Sequence, residues 1–402
     1  MTVSSESKVL SVKASLEERL THHLSQLISF RTIVGANETK KLCLEYIEKT
    51  FLSSLSTRPR SPRLSSEENR GANGEAARPR SRRAAEIFRG DVAGCPYFYL
   101  KHPAPKLLWF AHIDVVPGKE EQFTLRKEGD TLLGRGVKDM KGAALPFFLA
   151  YKDACERGEC PPVSILLTSD EETAGQTIPT LLKEGMLQVP TAFTPDTGSN
   201  PHIVVQHKGA LWAKLEVLGK GTHGAMPWEG KNPIPLLADA IQRLAKAFPE
   251  GTEEDWHMTV TATELKGSEA KNQIPEVASC TLDIRFPPEI YKTAEEALTA
   301  IRRELPKGCS VTPFISTPPL KTDSAHPMVQ LVKKIAEEVT GKEIPTGREH
   351  GATDARYFSA AGIPAFLYGP TGGGLHAPDE WVSLASLMQQ YEFSVRLLQS
   401  LG

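Results

Sequence analysis

The chain contains no Cys-x-x-Cys pair, and its six cysteines (Cys43, Cys95, Cys155, Cys160, Cys280 and Cys309) are scattered over 402 residues. That spacing argues against a thiolate zinc site and against a disulfide framework. Long apolar runs are also missing. Stretches such as Ala143–Tyr151 are far too short to cross a bilayer. The first residues, MTVSSESKVLSVKASLEERL, lack the basic, then apolar, then small-residue order of a secretory signal. The expectation is a cytoplasmic protein with reduced thiols. Neither sign of charge dominates: 47 Lys and Arg stand against 49 Asp and Glu, a net charge of −2. Such a balance speaks against nucleic acid or a membrane surface as partner. What is present is ordinary globular material, 40% hydrophobic and 24% charged. A chain of this length exceeds one core and predicts two domains.

Apolar residues recur at helical spacing over 13–31 and 37–52. The segment 58–89 then breaks the pattern with nine arginines, several prolines and glycines, and few apolar side chains. Its composition cannot bury enough surface to offset chain entropy and predicts a disordered insertion. Beyond it, Lys106–Val115, Val163–Ser169 and Thr191–Thr194 read as buried parallel strands, separated by helical stretches at 139–157 and 177–186. That alternation predicts an α/β domain, a mostly parallel sheet with helices on both faces. From about His207 the texture changes. Leu211–Leu218, His257–Leu265 and Ser279–Phe286 alternate with period two, with helices expected at Pro233–Ala247 and Thr293–Leu305. These predict a smaller α+β domain with an antiparallel sheet, inserted at 208–318 between catalytic-domain segments 1–207 and 319–402.

Acidic and imidazole residues cluster where those parallel strands end, the place where open α/β sheets build their sites. His112 and Asp114 can share one face of a strand end. Asp139 lies in the glycine-bracketed GRGVKDMKG, where a helix begins and an N-cap is the ordinary reading. Asp170, Glu171 and Glu172 follow a buried strand directly, and three adjacent carboxylates there call for cations. Asp196 follows the strand TAFTP, and His376 lies in the glycine-rich GPTGGGLHAPDE.

HIDVVPG, GRGVKDMKG, SDEETAG, PDTG, GKGTHGAMPWEGKNP, GATDARYF and GPTGGGLHAPDE stand in one order from about Leu107 to the C-terminus. In that order they resemble the zinc metallopeptidase family of aminoacylase, acetylornithine deacetylase, succinyl-diaminopimelate desuccinylase, carboxypeptidase G and dipeptidases. The resemblance implies a zinc-exopeptidase-like catalytic domain and, at 208–318, a lid and dimerisation domain that builds a homodimer. It implies two Zn²⁺ per subunit, with Co²⁺ or Mn²⁺ possible, which suits nitrogen and oxygen donors. His112 and Asp196 would hold one metal, Glu172 and His376 the other. Asp139 would bridge them and Asp114 would orient His112. Glu171 would be the general base toward a water shared by the metals.

In the smaller domain, the same resemblance makes His223 an oxyanion donor to the partner subunit's site. It makes Asn272 a substrate contact and Arg285 the clamp on a substrate carboxylate, with Gly351 and Thr353 lining that pocket. The implied substrate is an N-acyl amino acid or a short peptide, with deacylase or desuccinylase action ahead of dipeptidase or carboxypeptidase action. A non-catalytic metal- or ligand-binding protein on this fold is the alternative from another class. Trp109, Phe147 and Phe148 read as core, and Asp354 and Arg356 as a helix-start pair. In one respect the chain departs from the family: only Cys95–Lys101 reads as a strand where a strand pair is usual.

Overall fold

The structure, a computed structural model, describes residues 5–52, 85–173, 175–198, 202–252 and 254–402, with side chains from residue 16 onward. The expected disordered insertion at 58–89 lies outside the described residues as far as 84. Its last part is corrected: Glu86–Val92 is a strand. It pairs antiparallel with Cys95–Lys101 in register from Glu86↔Lys101 to Val92↔Cys95, so the usual strand pair is complete. The turn between them places Ala93 at φ 52° and Gly94 at φ 84°, both left-handed, which suits the twist of a two-residue hairpin. Composition hid this strand because the arginine-rich run continues into it. Its residues are only half-buried on an outer edge, where hydrophobic alternation is weak.

The chain forms two compact units. The first comprises Met1–Ile203, Ser324–Thr346 and Phe366–Gly402. Its main sheet runs, in order, through Glu86–Val92, Cys95–Lys101, Val163–Thr168, Leu107–His112, Ala192–Thr194 and Ala365–Leu367. Leu107–His112 pairs parallel with both Val163–Thr168 and Ala192–Thr194, while the two outer strands are antiparallel. Leu107–His112 and Val163–Thr168 are buried at every position, as strands covered on both faces must be. Helix Lys141–Glu156 lays Phe147 and Phe148 on Trp109, with ring centroids 4.2 and 5.3 Å apart. Helix Leu384–Leu401 buries Leu387, Leu397 and Leu398.

The second unit comprises Val204–Asp323 and Gly347–Ala365. Four antiparallel strands form its sheet in the order Thr259–Lys266, Val277–Phe286, Gly209–Leu218 and Cys309–Thr317. Helices Ile234–Ala247 and Ala294–Glu304 contribute Leu237, Leu244, Leu298 and Ile301 to a core with Leu211, Leu215, Leu282 and Ile284. Strand Cys309–Thr317 had no signal in the sequence. Pro313 sits at a register shift within it, and most of its residues are exposed, so it carries little alternation. Leu218, Leu265 and Phe314 remain exposed on this unit's strands. Among the described residues, no helix is long and apolar enough to cross a membrane.

Candidate metal centre

Parallel pairing sets the site. His112 lies opposite Thr168 in the register of the two central strands, so the loops beyond them emerge side by side. The Asp114 carboxylate, buried there, accepts the backbone N–H groups of Glu171 at 3.3 Å and Glu172 at 3.0 Å. His112 Nδ1 is 3.0 Å from the Asp114 main-chain oxygen and 3.5 Å from its carboxylate. The carbonyl is therefore the closer partner of that nitrogen, because the carboxylate is held by the two amides. Either contact draws the Nδ1 proton and turns Nε2 inward, where it would coordinate a metal.

Asp139 receives that nitrogen. Its Oδ1 is 3.1 Å from His112 Nε2, and its Oδ2 is 3.2 Å from His376 Nε2. His376 Nε2 is in turn 3.1 Å from Glu172 Oε2. One donor atom from each of His112, Asp139 and Glu172 lies within 4.8 Å of the others. His376 adopts φ 63°, a left-handed conformation that costs a non-glycine residue roughly 1–3 kcal/mol and is met mostly where a side chain must be aimed. The loop carrying Asp139 is wound tightly. A Cβ on Gly142 would stand 2.1 Å from the Val137 carbonyl oxygen, so no larger residue fits.

The electrostatics describe a cluster short of positive charge. Burial, and then the charge of Asp139, push the Asp196 carboxyl up to about 7. Burial opposes ionisation of Asp139 as well, but hydrogen bonds from His112 and His376 hold it below its ordinary range. Burial would depress His112, yet Asp114 and Asp139 raise it well above its usual value. Hydrogen bonds to Asp139 and Glu172 lift His376 to about 10. Carboxylates packed until one resists ionisation, around inward-facing imidazoles, fit hard or borderline divalent cations. The residues present therefore suit a metal.

Of the three consecutive carboxylates, Asp170 is turned away. Its Oδ2 accepts the N–H groups of Gln176 at 2.7 Å and Thr177 at 2.9 Å, capping helix Thr177–Lys183. Glu172 faces Asp139 and His376, while Glu171 stands beside it with its backbone on Asp114.

Two supporting groups had no separable signal. Glu380, in the loop that carries His376, is buried against Arg135, whose Nη1 donates to Oε2 at 2.7 Å. Its carboxylate also accepts N–H groups from Gly136, Lys138 and Asp139 at 2.9–3.1 Å. Lys138 donates its buried ammonium to the Thr197 carbonyl, next to Asp196, and to Thr197 Oγ1 at 3.1 Å. These residues lie inside the conspicuous motifs, but their pairing spans over 240 positions for Arg135 and Glu380 and leaves no local trace.

The remaining expected residues lie in the second unit. His223 and Asn272 come together at the short pair formed by Thr222–His223 and Gln273–Ile274, with Asn272 Nδ2 3.4 Å from His223 Nε2, both exposed. Arg285 is held by Asp283 two residues before it, at 2.7 and 3.1 Å, and lies 5.8 Å from the Trp212 ring. Gly351 is exposed, and Thr353 donates its N–H to His207 Nε2 at 3.3 Å. Asp354 and Arg356 are buried together at 3.4 Å.

A buried carboxylate between two imidazoles, at the strand ends of an α/β sheet, forms a candidate metal centre. The chain belongs to peptidase family M20/M25/M40, whose family model matches residues 108–400. It is 30% identical over 299 residues to succinyl-diaminopimelate desuccinylase of Phenylobacterium zucineum, covering 69% of this chain and 78% of that one. The enzyme of the same description from Gluconacetobacter diazotrophicus is 30% identical over 322 residues, covering 75% and 83%. Among solved structures, the Bacillus cereus aminopeptidase PepT shares the fold with a TM-score of 0.72 at 17% identity, covering 96% and 98%.

Proposed function

We propose that the chain is a two-zinc deacylase that cleaves the amide bond of an N-acyl amino acid, with a desuccinylase-like preference. The observation that carries this reading is Asp139, whose two carboxylate oxygens each meet a different imidazole. That arrangement suits a bridging ligand, with His112 and Asp196 on one side and Glu172 and His376 on the other. Two bound divalent cations would supply Lewis acidity to the amide carbonyl and lower the pKa of water. Glu171, next in the chain to the Glu172 carboxylate and carried by the same turn on Asp114, would accept the proton of the attacking water and return it to the leaving amine. Asp114 holds the amides of Glu171 and Glu172 together, so base and ligand keep a fixed spacing. The desuccinylase relatives at 30% identity support an acyl substrate over a peptide.

The second unit, and 208–318 within it, would serve as lid and dimerisation domain. Leu218, Leu265 and Phe314, exposed on its strands, support a face covered by a second copy. His223 and Asn272 would reach a partner's site together, His223 stabilising the oxyanion. Arg285, Gly351 and Thr353 would contact the substrate.

The test is metal analysis of the purified protein beside a panel of N-succinyl, N-acetyl and dipeptide substrates. Two zinc equivalents with N-succinyl or N-acetyl hydrolysis is the expected result. Hydrolysis of dipeptides alone would move the substrate class. Bound metal with no hydrolysis would favour a non-catalytic binding protein.

A further inference from the structure

The second unit holds a group of cations that the proposed chemistry leaves unused. Lys208, between the strands Ile203–His207 and Gly209–Leu218, is only 1% exposed. Among the described residues, no hydrogen bond or ion pair holds its ammonium. It lies over the Trp256 ring, 5.3 Å from the centroid. Arg348 lies over the same ring, its guanidinium carbon 4.7 Å from the centroid. The indole is itself fixed, donating Nε1–H to Glu289 Oε2 at 3.0 Å.

A buried ammonium with no anion is costly, and contact with an indole face returns only part of that cost. The neighbours make matters worse. Burial, then the charges of Arg348 and Arg285, lower the Lys208 ammonium below its ordinary value. The Asp255 charge works in the opposite direction, but its carboxylate makes no ion pair with either cation and accepts instead from Thr252 N at 2.7 Å and Thr252 Oγ1 at 2.9 Å. Arg285 likewise is spent on Asp283. Among the described residues, the two cations on one anchored indole thus have no carboxylate in ion-pair contact.

We propose that Lys208 and Arg348, on the Trp256 indole, form a carboxylate-binding site within the second unit. A small dicarboxylate of the succinyl class suits it best. The ammonium acts as a point charge and the guanidinium as a two-pronged donor, one for each carboxylate, with the indole holding the two cations together. The carboxylate belongs either to the acyl group of a substrate or to a free acid that binds the unit separately. The first source rests on the deacylase reading; binding of the free acid does not.

The experiment uses the full metal-loaded chain. Calorimetric titration with succinate should show saturable binding, with butyrate at least tenfold weaker. Lys208→Met and Arg348→Met should each weaken succinate at least tenfold, and Lys208→Arg should restore part of it. Because Arg348 is exposed, its variant keeps the test informative if Lys208→Met fails to fold. Absent succinate binding, or equal binding by wild type and Arg348→Met, overturns the site. In parallel, kcat/KM is compared for N-succinyl and N-butyryl forms of one amino acid. A tenfold fall in their ratio in the variants assigns the site to the substrate's carboxylate. An unchanged ratio with lost succinate binding assigns it to a free acid. Hydrolysis of neither amide by wild type defeats the deacylase reading, while the titration still decides the site.

Discussion

Glu380→Gln should loosen the loop that carries Asp139 while leaving every metal-ligating side chain in place. The wild-type carboxylate sits at 1% exposure against Arg135 at 2%. It accepts one guanidinium N–H and the backbone N–H groups of Gly136, Lys138 and Asp139. Burial lifts its pKa and the three backbone donors work against that rise; the guanidinium contact favours the ionised form. The amide has nearly the same shape, but it removes the negative charge and turns an NH₂ toward groups that are themselves donors. Breaking a buried ion pair at one end costs about 3–5 kcal/mol, because the other charge is left uncompensated. Hydrogen bonds to a charged acceptor contribute about 1.5–3 kcal/mol each, and that loss overlaps with the first and does not add to it. The expected destabilisation is therefore about 3–5 kcal/mol, read as a lower midpoint in urea unfolding. Since Asp139 N–H is one of the groups released, metal affinity should also fall about 10–100-fold, as on losing an outer-shell partner. Chelator competition measures that fall. A variant within about 1 kcal/mol of wild type, with unchanged metal affinity, would refute the claim that Glu380 organises the loop.

Acid should act through His207. Its Nδ1 faces the Lys208 carbonyl at 3.2 Å and its Nε2 accepts Thr353 N–H, so the neutral ring is satisfied. Burial and then the charge of Arg356 lower it to about 3. The unfolded chain, with a histidine pKa of about 6.5, takes up the proton first. The stability tied to the neutral ring is thus complete above about pH 6.5 and is lost as pH falls toward the folded value. The contribution is on the order of 3–5 kcal/mol; a His207→Gln variant whose acid unfolding curve keeps the wild-type slope over this window would contradict it. Glu171→Gln should retain its metal and lose about 10²–10⁴-fold in kcat, the usual worth of a positioned base; full hydrolysis would remove Glu171 from that role. Dialysis against a chelator should abolish hydrolysis, and added zinc should restore it; activity that survives verified metal loss would contradict the metal reading. Glu171→Gln and His223→Ala proteins, each inactive alone, should regain part of the activity once their subunits are mixed. Mixed dimers without activity would sink the proposal that His223 serves the partner.

The legible part of this protein is the part written in short spacing. Buried apolar runs ending in polar residues marked Leu107–His112, Val163–Thr168 and Ala192–Thr194, because a strand covered on both faces must be apolar throughout. His112, Asp139, Glu172, Asp196 and His376 stood out by position after those strands and by the order of the motifs around them. Strand Glu86–Val92 did not, because an arginine-rich composition runs into a half-buried edge. Strand Cys309–Thr317 was equally silent, with Pro313 at its bulge and most of its side chains in solvent.

Tertiary structure supplied the contacts that separate three neighbouring carboxylates, of which the resemblance had given roles to Glu171 and Glu172. Of the three adjacent carboxylates, Asp170 caps a helix and Glu172 faces His376, while the backbone amides of Glu171 and Glu172 both sit on Asp114. The directions in which a single tight turn points the Asp170 and Glu172 side chains are not encoded in residue spacing. Glu380 meeting Arg135, and Lys208 meeting Arg348 over one indole, depend on segments far apart in the chain closing on each other. Alternation and motif order are local properties and survive in one dimension; the burial that turns a charge into a support or a site exists only once the sheets have closed.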